Sequence, residues 1–211
     1  PDWNSGYLLK NELEVIGFYF SDHPVSLYPK NYFEQNNILD FDDIIENKEI
    51  KNAKIVGSIL DIKERSNKDG KKYAFLTIST LNSQIELSIF SDKLSEFRHF
   101  IKEGNVLLFN IDVSRDNENT RLIIRKIEDF DKTFRNQKKI INIFLQPDAE
   151  KEIIKPLFKD SGQNNEEIYI YLSKDNKLIS FDFSKKYQIN SFKYLDQLHA
   201  AKKIDYSIVF N

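Results

Sequence analysis

Between Lys54 and Phe90 apolar and polar side chains alternate with a period of two, and the alternation is broken twice by turn chemistry. Lys54 to Arg65 carries Ile55, Gly57 and Ile59 in a long half-buried run that predicts a first strand. Ser66-Asn67-Lys68-Asp69-Gly70 follows, and its Asp-Gly pair supplies a positive φ at low cost. From Tyr73 to Ser79, Ala74, Leu76 and Ile78 point one way, and Tyr73, Phe75 and Thr77 the other. Leu81-Asn82-Ser83 turns the chain again. Ile85, Leu87 and Ile89 then alternate with Gln84, Glu86, Ser88 and Phe90, which predicts a third antiparallel strand.

After Phe90 the period changes to that of a helix. Ser91 and Asp92 open it, Leu94, Phe97 and Ile101 share a face, and Glu103-Gly104 closes it. Val106 to Ser114 and Leu122 to Phe130 return to strand patterning, joined through Arg115-Asp116-Asn117-Glu118-Asn119. A long first strand containing a glycine, a hairpin, a third strand, a plugging helix and a final strand pair predict a five-stranded Greek-key barrel of the oligonucleotide-binding (OB) type.

On the N-terminal side, Leu9, Leu13, Ile16 and Phe20 form one stripe and predict a helix over 8–20, stopped at Ser21-Asp22-His23-Pro24 because a residue before proline avoids the α region. Tyr28 to Asn37 reads as a packed connector, and 39–45 as a short helix or turn. On the C-terminal side, Lys132 to Gln137 reads as a polar linker. Beyond it come a strand at Lys139–Leu145, a helix from about Asp148 interrupted by Pro156, and a hairpin over Glu167–Phe183 turning at Asp175-Asn176. A short strand at Tyr187–Ile189, a helix capped by Asn190 or Ser191 and running through Leu198, and a last strand at Ile204–Phe210 complete the chain. The expected fold class is an all-β OB-fold barrel plus a small α+β C-terminal domain, preceded by a helical connector, with boundaries at 1–52, 53–131 and 138–211.

Composition narrows the chemistry. The formal charge of −2 excludes a uniformly basic nucleic-acid binder, but its distribution is uneven. Residues 1–52 carry 4 Lys/Arg against 10 Asp/Glu, residues 53–130 carry 13 against 12, and residues 131–211 carry 14 against 11. The acidic excess therefore sits ahead of the barrel. No cysteine is present, which excludes a disulfide framework and favours a cytoplasmic setting. No apolar run reaches the ~20 residues of a membrane helix, so no membrane partner is expected. Methionine is absent even at position 1, which reads as a piece of a longer chain.

On the barrel's outward face, Tyr73, Phe75 and Phe90 offer rings on which bases can stack, and Arg65, Lys68, Lys71 and Lys72 line the first hairpin. Arg115, Arg121 and Arg125 can extend that groove from the last two strands. The competing account has Phe90 packed beneath the following helix and the lysines as a solvated hairpin, with Asp61, Glu64 and Asp69 diluting the positive charge. Asp40-Phe41-Asp42 has the spacing of a two-metal carboxylate pair, but no third ligand or phosphate cradle lies nearby, and an acidic helix start accounts for it better. The 3 histidines are scattered, and no Gly-rich phosphate loop exists among 6 glycines. No catalytic constellation, metal or cofactor is expected.

The segment Asn11-Glu12-Leu13-Glu14-Val15-Ile16-Gly17-Phe18-Tyr19-Phe20-Ser21-Asp22-His23-Pro24-Val25, followed by Tyr28, resembles the one that closes the polymerase core in alpha subunits of bacterial DNA polymerase III. That family usually has Ser-Gly-His-Pro-Leu there, so Asp22 and Val25 depart from its pattern. The Trp3 lead-in fits as well. Gly57, the Lys-Asp-Gly-Lys-Lys hairpin, Ala74-Phe75-Leu76-Thr77-Ile78 and Ile85-Glu86-Leu87-Ser88-Ile89-Phe90 are similar to the family's OB domain. An acidic residue near Ser79-Thr80 and a glycine ahead of the third strand, usual in the family, are missing, which bears on the shape of the second turn.

The resemblance implies that the catalytic aspartates lie upstream of Pro1, so that this stretch is inert while its parent chain is a DNA-directed DNA polymerase. It implies a barrel that binds single-stranded DNA template. It implies a C-terminal domain that docks the clamp-loader tau subunit, among other polymerase III holoenzyme subunits. Gln188-Ile189-Asn190-Ser191-Phe192 loosely matches a clamp-binding peptide but lacks its central aliphatic residue. Two other readings stand beside it: an anticodon- or RNA-binding module, in which Phe75 matches the base-reading aromatic of strand two but Glu86 stands in place of the usual strand-three glutamine, and an adaptor whose barrel binds protein.

Overall fold

A computed structural model describes residues 5–19, 21–116, 119–146, 151–160, 165–174, 177–184 and 186–211. In chain order the elements of the first part are α1 (Ser5–Ile16), α2 (Lys30–Gln35), α3 (Phe41–Glu46), β1 (Asn52–Ser66), β2 (Lys72–Ser79), β3 (Gln84–Ile89), α4 (Ser91–Phe97), β4 (Val106–Asp116) and β5 (Asn119–Asp129). The remainder comprises α5 (Phe130–Asn136), β6 (Lys139–Leu145), α6 (Lys151–Ile154), β7 (Phe158–Asp160), β8 (Glu166–Lys174), β9 (Lys177–Asp182), β10 (Tyr187–Ile189), α7 (Phe192–Ala200) and β11 (Ile204–Phe210). Contacts divide the chain into two units, one of residues 1–26 with 36–131 and one of 27–35 with 132–211. Residues 1–52, expected as a single connector, thus contribute to both.

The first unit is built around a closed barrel of strand order β1-β2-β3-β5-β4. β1, at 15 residues, is long enough to pair with β2 along one half and β4 along the other. A register shift between Ile59 and Asp61 bends it from one partner to the next, as a bulge does. The parallel bridge Ser88↔Ile123 closes the cylinder. Alternation then decides the contents: Ala74, Leu76 and Ile78 of β2 and Ile85, Leu87 and Ile89 of β3 are buried, as are Phe109 and Ile111 of β4 and Ile124 and Ile127 of β5. Leu94, Phe97 and Ile101 join the same core, so α4 plugs the barrel as predicted. Burying each such side chain contributes roughly 1.5–3 kcal/mol before entropy is charged against it.

Gly57 sits where no side chain fits. A Cβ there would lie 2.8 Å from the Ser79 carbonyl oxygen and 2.8 Å from Ile78 Cδ1. α4 stops at Phe97, short of the expected Glu103, because the chain must return to pairing with β1. Gly104, at φ +81°, donates its N–H to the Ile59 carbonyl at 2.8 Å, and the Ile59 N–H donates to Asn105 O at 3.0 Å. α1 likewise ends about a turn before the predicted Phe20. Gly17 adopts φ +83° and its N–H closes on Leu13 O at 3.0 Å, a left-handed cap that ends the helix. Phe20 and Trp3 lie outside the described residues.

The second unit is a four-stranded sheet of order β11-β6-β8-β9, with β6 and β8 parallel and the outer pairs antiparallel. Register places Ile141, Ile143, Ile168, Ile170 and Ile208 on one face, all buried, and Leu195 and Leu198 of α7 are buried as well. Ser191 caps α7 by accepting the Tyr194 N–H at 3.1 Å. β7 and β10 form a separate two-stranded ribbon. The expected turn at Asp175-Asn176 and the helix start at Asp148 lie outside the described residues. The architecture is that of an all-β barrel joined to a small α+β unit.

One expectation here is overturned. Lys132–Gln137 is no polar linker, because Phe130–Asn136 is helical and Phe134 is only 5% exposed. Its ring meets Tyr28, Tyr32 and Phe192 edge-on at centroid distances of 5.0, 4.9 and 5.4 Å. A single aromatic among polar residues carries no periodic signal, so its partners, distant in sequence, decide the structure. α2 also seals one edge of the sheet: Asn31 Nδ2 and Gln35 Nε2 donate to Ile208 O at 3.1 and 2.9 Å, and Gln35 Oε1 accepts the Phe210 N–H at 3.1 Å. At the opposite edge all six residues of β9 are exposed.

Candidate nucleic-acid interface

The outward side chains of β1, β2 and β3 form ordered rows. Register pairs Arg65 with Tyr73 and Lys63 with Phe75, and across the next gap Phe75 with Ser88 and Thr77 with Glu86. Tyr73 and Phe75 are half-buried and meet edge to face at 5.6 Å between centroids. The Arg65 guanidinium lies 5.8 Å from the centre of the Phe75 ring, a cation–π contact that fixes the ring while leaving the charge in solvent. One residue beyond the last pair, the same register sets Phe90 opposite Tyr73. Phe90 is 52% exposed, so it does not pack beneath the helix that follows.

The hairpin that carries the lysines is held by one side chain. Asn67 Oδ1 accepts the backbone N–H of Asp69 at 3.0 Å and of Lys71 at 2.8 Å, and Gly70 takes φ +74°. This leaves Lys68, Lys71 and Lys72 exposed, without an ion pair within 4 Å among the described residues. Carboxylates around them are already engaged: Glu64 pairs with Arg98 at 2.7 Å and Asp61 with Lys63 at 3.2 Å. The hydrogen bond from Arg98 is the main reason the Glu64 carboxyl titrates below its ordinary range. Asp69, in the turn itself, is met only by Asn67 Nδ2 at 3.5 Å and still offsets part of the lysines' charge.

The three arginines of the last strand pair separate. Arg121 lines a groove of about 390 Å³ together with Phe75, Gln84, Glu86, Ser88, Thr120 and Phe41. Arg125 is held by Asp112 at 2.5 Å. Arg115 faces another task, donating to the carbonyls of Ile50 at 2.5 Å, Ile44 at 2.6 Å and Asn47 at 3.2 Å. It satisfies carbonyls at and beyond the end of α3, so the structure does not bring it to the rows of Tyr73 and Phe75. Of the ten residues singled out from the sequence, Arg65, Lys68, Lys71, Lys72, Tyr73 and Phe75 gather on the first hairpin and the outward face beside it, with Phe90 opposite Tyr73, and Arg121 joins Phe75 in the groove.

Gln84, Glu86 and Ser88 share the groove and were legible as the outward set of the third strand. Thr120 and Phe41 were not, since nothing in their local pattern marks them. None of the side chains of Gln84, Glu86, Ser88, Thr120 and Arg121 makes a hydrogen bond or ion pair within the described residues. These polar side chains are open to solvent for the most part and share the groove with the rings of Phe75 and Phe41.

Two other polar places serve structure. His23 Nδ1 accepts the Val25 N–H at 3.2 Å and its ring meets Tyr19 edge-on at 5.2 Å. Burial pushes the imidazole down to about 4, so it is neutral near pH 7 and is no phosphate-binding cation. Tyr19 Oη and Ser58 Oγ are 2.6 Å apart, fastening this segment to β1. Asp40 accepts from Asn82 Nδ2 at 3.3 Å, while burial, then Asp43 and Asp42, push its carboxyl up. Among the described residues no three His, Asp or Glu side chains converge as a metal site, and no helix is long and apolar enough to cross a membrane.

Comparison with known proteins agrees with this geometry. Residues 53–130 match a family profile described as an OB-fold nucleic acid binding domain. The chain is 27% identical over 162 residues to the DNA polymerase III alpha subunit of Aquifex aeolicus, covering 74% of this chain and 14% of that one. It is 28% identical over 191 residues to the alpha subunit of Borreliella burgdorferi, covering 83% and 16%. The chain thus spans about a sixth of the length of these relatives. Among solved structures, the mitochondrial single-stranded DNA binding protein Rim1 of S. cerevisiae aligns at 16% identity over 38% of this chain and 96% of its own, with a TM-score of 0.34. A replication protein A heterotrimer bound to single-stranded DNA aligns at 12% identity over 82% and 52%, with a TM-score of 0.36. Those scores are too low to bear on function. The sequence matches, over a region whose own barrel is closed in the OB order, make this chain a homologue of an OB-fold-bearing stretch of the DNA polymerase III alpha subunit.

Proposed function

We propose that the barrel binds single-stranded DNA template during replication, as the non-catalytic C-terminal part of a polymerase alpha subunit acting in the cytoplasm. The observation that carries the reading is the joint one on β1, β2 and β3: the half-buried, outward-facing rings of Tyr73 and Phe75, hairpin lysines with no ion pair among the described residues, and a groove lined by polar side chains without a protein partner there. Lys71 and Lys72 track phosphate, Tyr73 and Phe75 stack bases, Arg65 and Arg121 flank them, and Lys68 extends the cationic rim.

Titration of a labelled single strand at several salt concentrations tests this. Affinity should fall linearly with salt on logarithmic axes. If both lysines neutralise a phosphate, Lys71→Ala/Lys72→Ala should lower the slope by about 1.4, at ~0.7 per contact on single strands. An unchanged slope removes the hairpin from the interface, and tighter binding to a folded tRNA than to single strands favours the RNA reading.

The second unit is proposed to dock the clamp-loader tau subunit. Support comes from the asymmetry of its sheet, whose β11 edge is sealed by Asn31 and Gln35 while β9 presents Leu178, Ile179 and Phe181 at 64, 39 and 47% exposure. An open apolar edge strand is a template for a partner's backbone. Phe181→Asp should abolish capture of tau by the 211-residue chain while leaving strand binding intact. Undiminished capture would move the docking surface elsewhere.

A further inference from the structure

We infer that Glu86 selects among bases, favouring those with an exocyclic amino group over thymine and uracil. The inference rests on the single-strand reading of the same groove and deepens it. Glu86 stands on β3 facing out, paired with Thr77 and diagonal to Phe75, whose direct partner is Ser88. Diagonal neighbours on one face are ~7–8 Å apart, a distance that a base lying on the Phe75 ring spans with its Watson–Crick edge. Glu86 and Phe75 line the same groove, and the Glu86 carboxylate makes no hydrogen bond or ion pair there.

The barrel's carboxylates divide: Asp69, like Glu86, has no cation within 4 Å among the described residues. Asp61, Glu64 and Asp112 on the barrel are each neutralised by a cation. An unpaired carboxylate in a groove that takes a polyanion repels phosphate, so the backbone passes beside the cations, near Lys71, Lys72 and Arg65 or along Arg121, with base edges turned toward Glu86. An ionised carboxylate only accepts hydrogen bonds. It is satisfied by the amino groups of cytosine, adenine and guanine, whereas thymine and uracil offer it only an N3–H set between two carbonyl acceptors. Ser88 and Gln84 donate or accept beside it and do not discriminate.

The test compares oligo(dC) with oligo(dU) of equal length, strands that share sugar and size and differ in the base's donor and acceptor edge. They are titrated by fluorescence anisotropy at neutral pH against the 211-residue chain and its Glu86→Gln variant. Oligo(dC) should bind about fivefold tighter or more, the low end of a specific base contact. Glu86→Gln, which can donate as well as accept, should erase the ratio mainly by strengthening oligo(dU). A ratio of one in the parent chain, or a ratio that survives Glu86→Gln, overturns the inference and leaves strand binding standing. Failure of both strands to bind overturns the single-strand reading and this inference together. Glu86 is exposed, so the variant's fold is not at stake, and unchanged far-ultraviolet circular dichroism verifies it.

Discussion

Phe75→Ala should weaken binding of a labelled single strand by roughly 5- to 150-fold, the equivalent of the ~1–3 kcal/mol that one base–aromatic stack contributes. The ring lies outside the barrel core, in contact with Tyr73 and Arg65, so its removal empties no cavity and the barrel should unfold at nearly its parent temperature. Stacking releases no counterions. The slope of affinity against salt should therefore stay as it was, in contrast to the lysine pair. Phe75→Trp should restore binding, since a larger π-face serves the same purpose. Unaltered affinity in Phe75→Ala would show that the strand, if bound, runs elsewhere.

Gly57→Val should produce the largest loss of stability. Any Cβ at this position lies 2.8 Å from the Ser79 carbonyl oxygen, and backbone cannot yield as the tip of a side chain can. Relieving the contact requires β1 and β2 to part where they are paired at Ser58↔Ser79. Overpacking of this kind costs about 1–3 kcal/mol, and a barrel-sized unit loses about 4–8 °C per kcal/mol. Calorimetry should show the barrel transition lowered by roughly 5–20 °C. Gly70→Ala is the control: nothing lies within 4 Å of its Cβ, and only the positive φ of +74° opposes it, at ~1–2 kcal/mol. Equal effects of the two substitutions would mean that the close approach at Gly57 does not govern.

The two glycines also show how far the linear pattern reaches. Gly70 was legible because Asp-Gly between two alternating runs is turn chemistry, whatever the rest of the chain does. Gly57 was legible as a glycine in a strand, but what it accommodates, the carbonyl of Ser79 on the neighbouring strand β2, follows from the register of that pairing. Gly17 was read within a helical stripe, and its left-handed conformation ended the helix instead. The second turn contains no glycine and is closed by Thr80, whose Oγ1 takes the Ser83 N–H at 3.1 Å while its own N–H reaches Ser83 O at 2.8 Å.

For the interface, Tyr73 and Phe75 could be assigned outward by parity, since a period of two commits every second side chain to one face. Parity cannot say which charges remain free. Arg115 and Arg121 are equally basic, yet one is consumed by the carbonyls of Ile44, Asn47 and Ile50 and the other faces a groove. Glu64 and Glu86 differ in the same way, because Arg98 is 34 residues from Glu64 along the chain and adjacent to it in space.

The sequence by itself determined the strand order of the barrel's meander, the two glycine-dependent positions of its first hairpin, the helix that plugs it, and which rings face outward. Those properties depend on side-chain period and local turn chemistry, which neighbouring residues dictate. Only the tertiary structure decided which ionic groups are spent on one another, that Phe134 draws a would-be linker into a helix, and that one edge of the second sheet is sealed while the other stays open. Each of these is settled by residues remote in sequence meeting at van der Waals or hydrogen-bond distance, and no local pattern encodes the meeting.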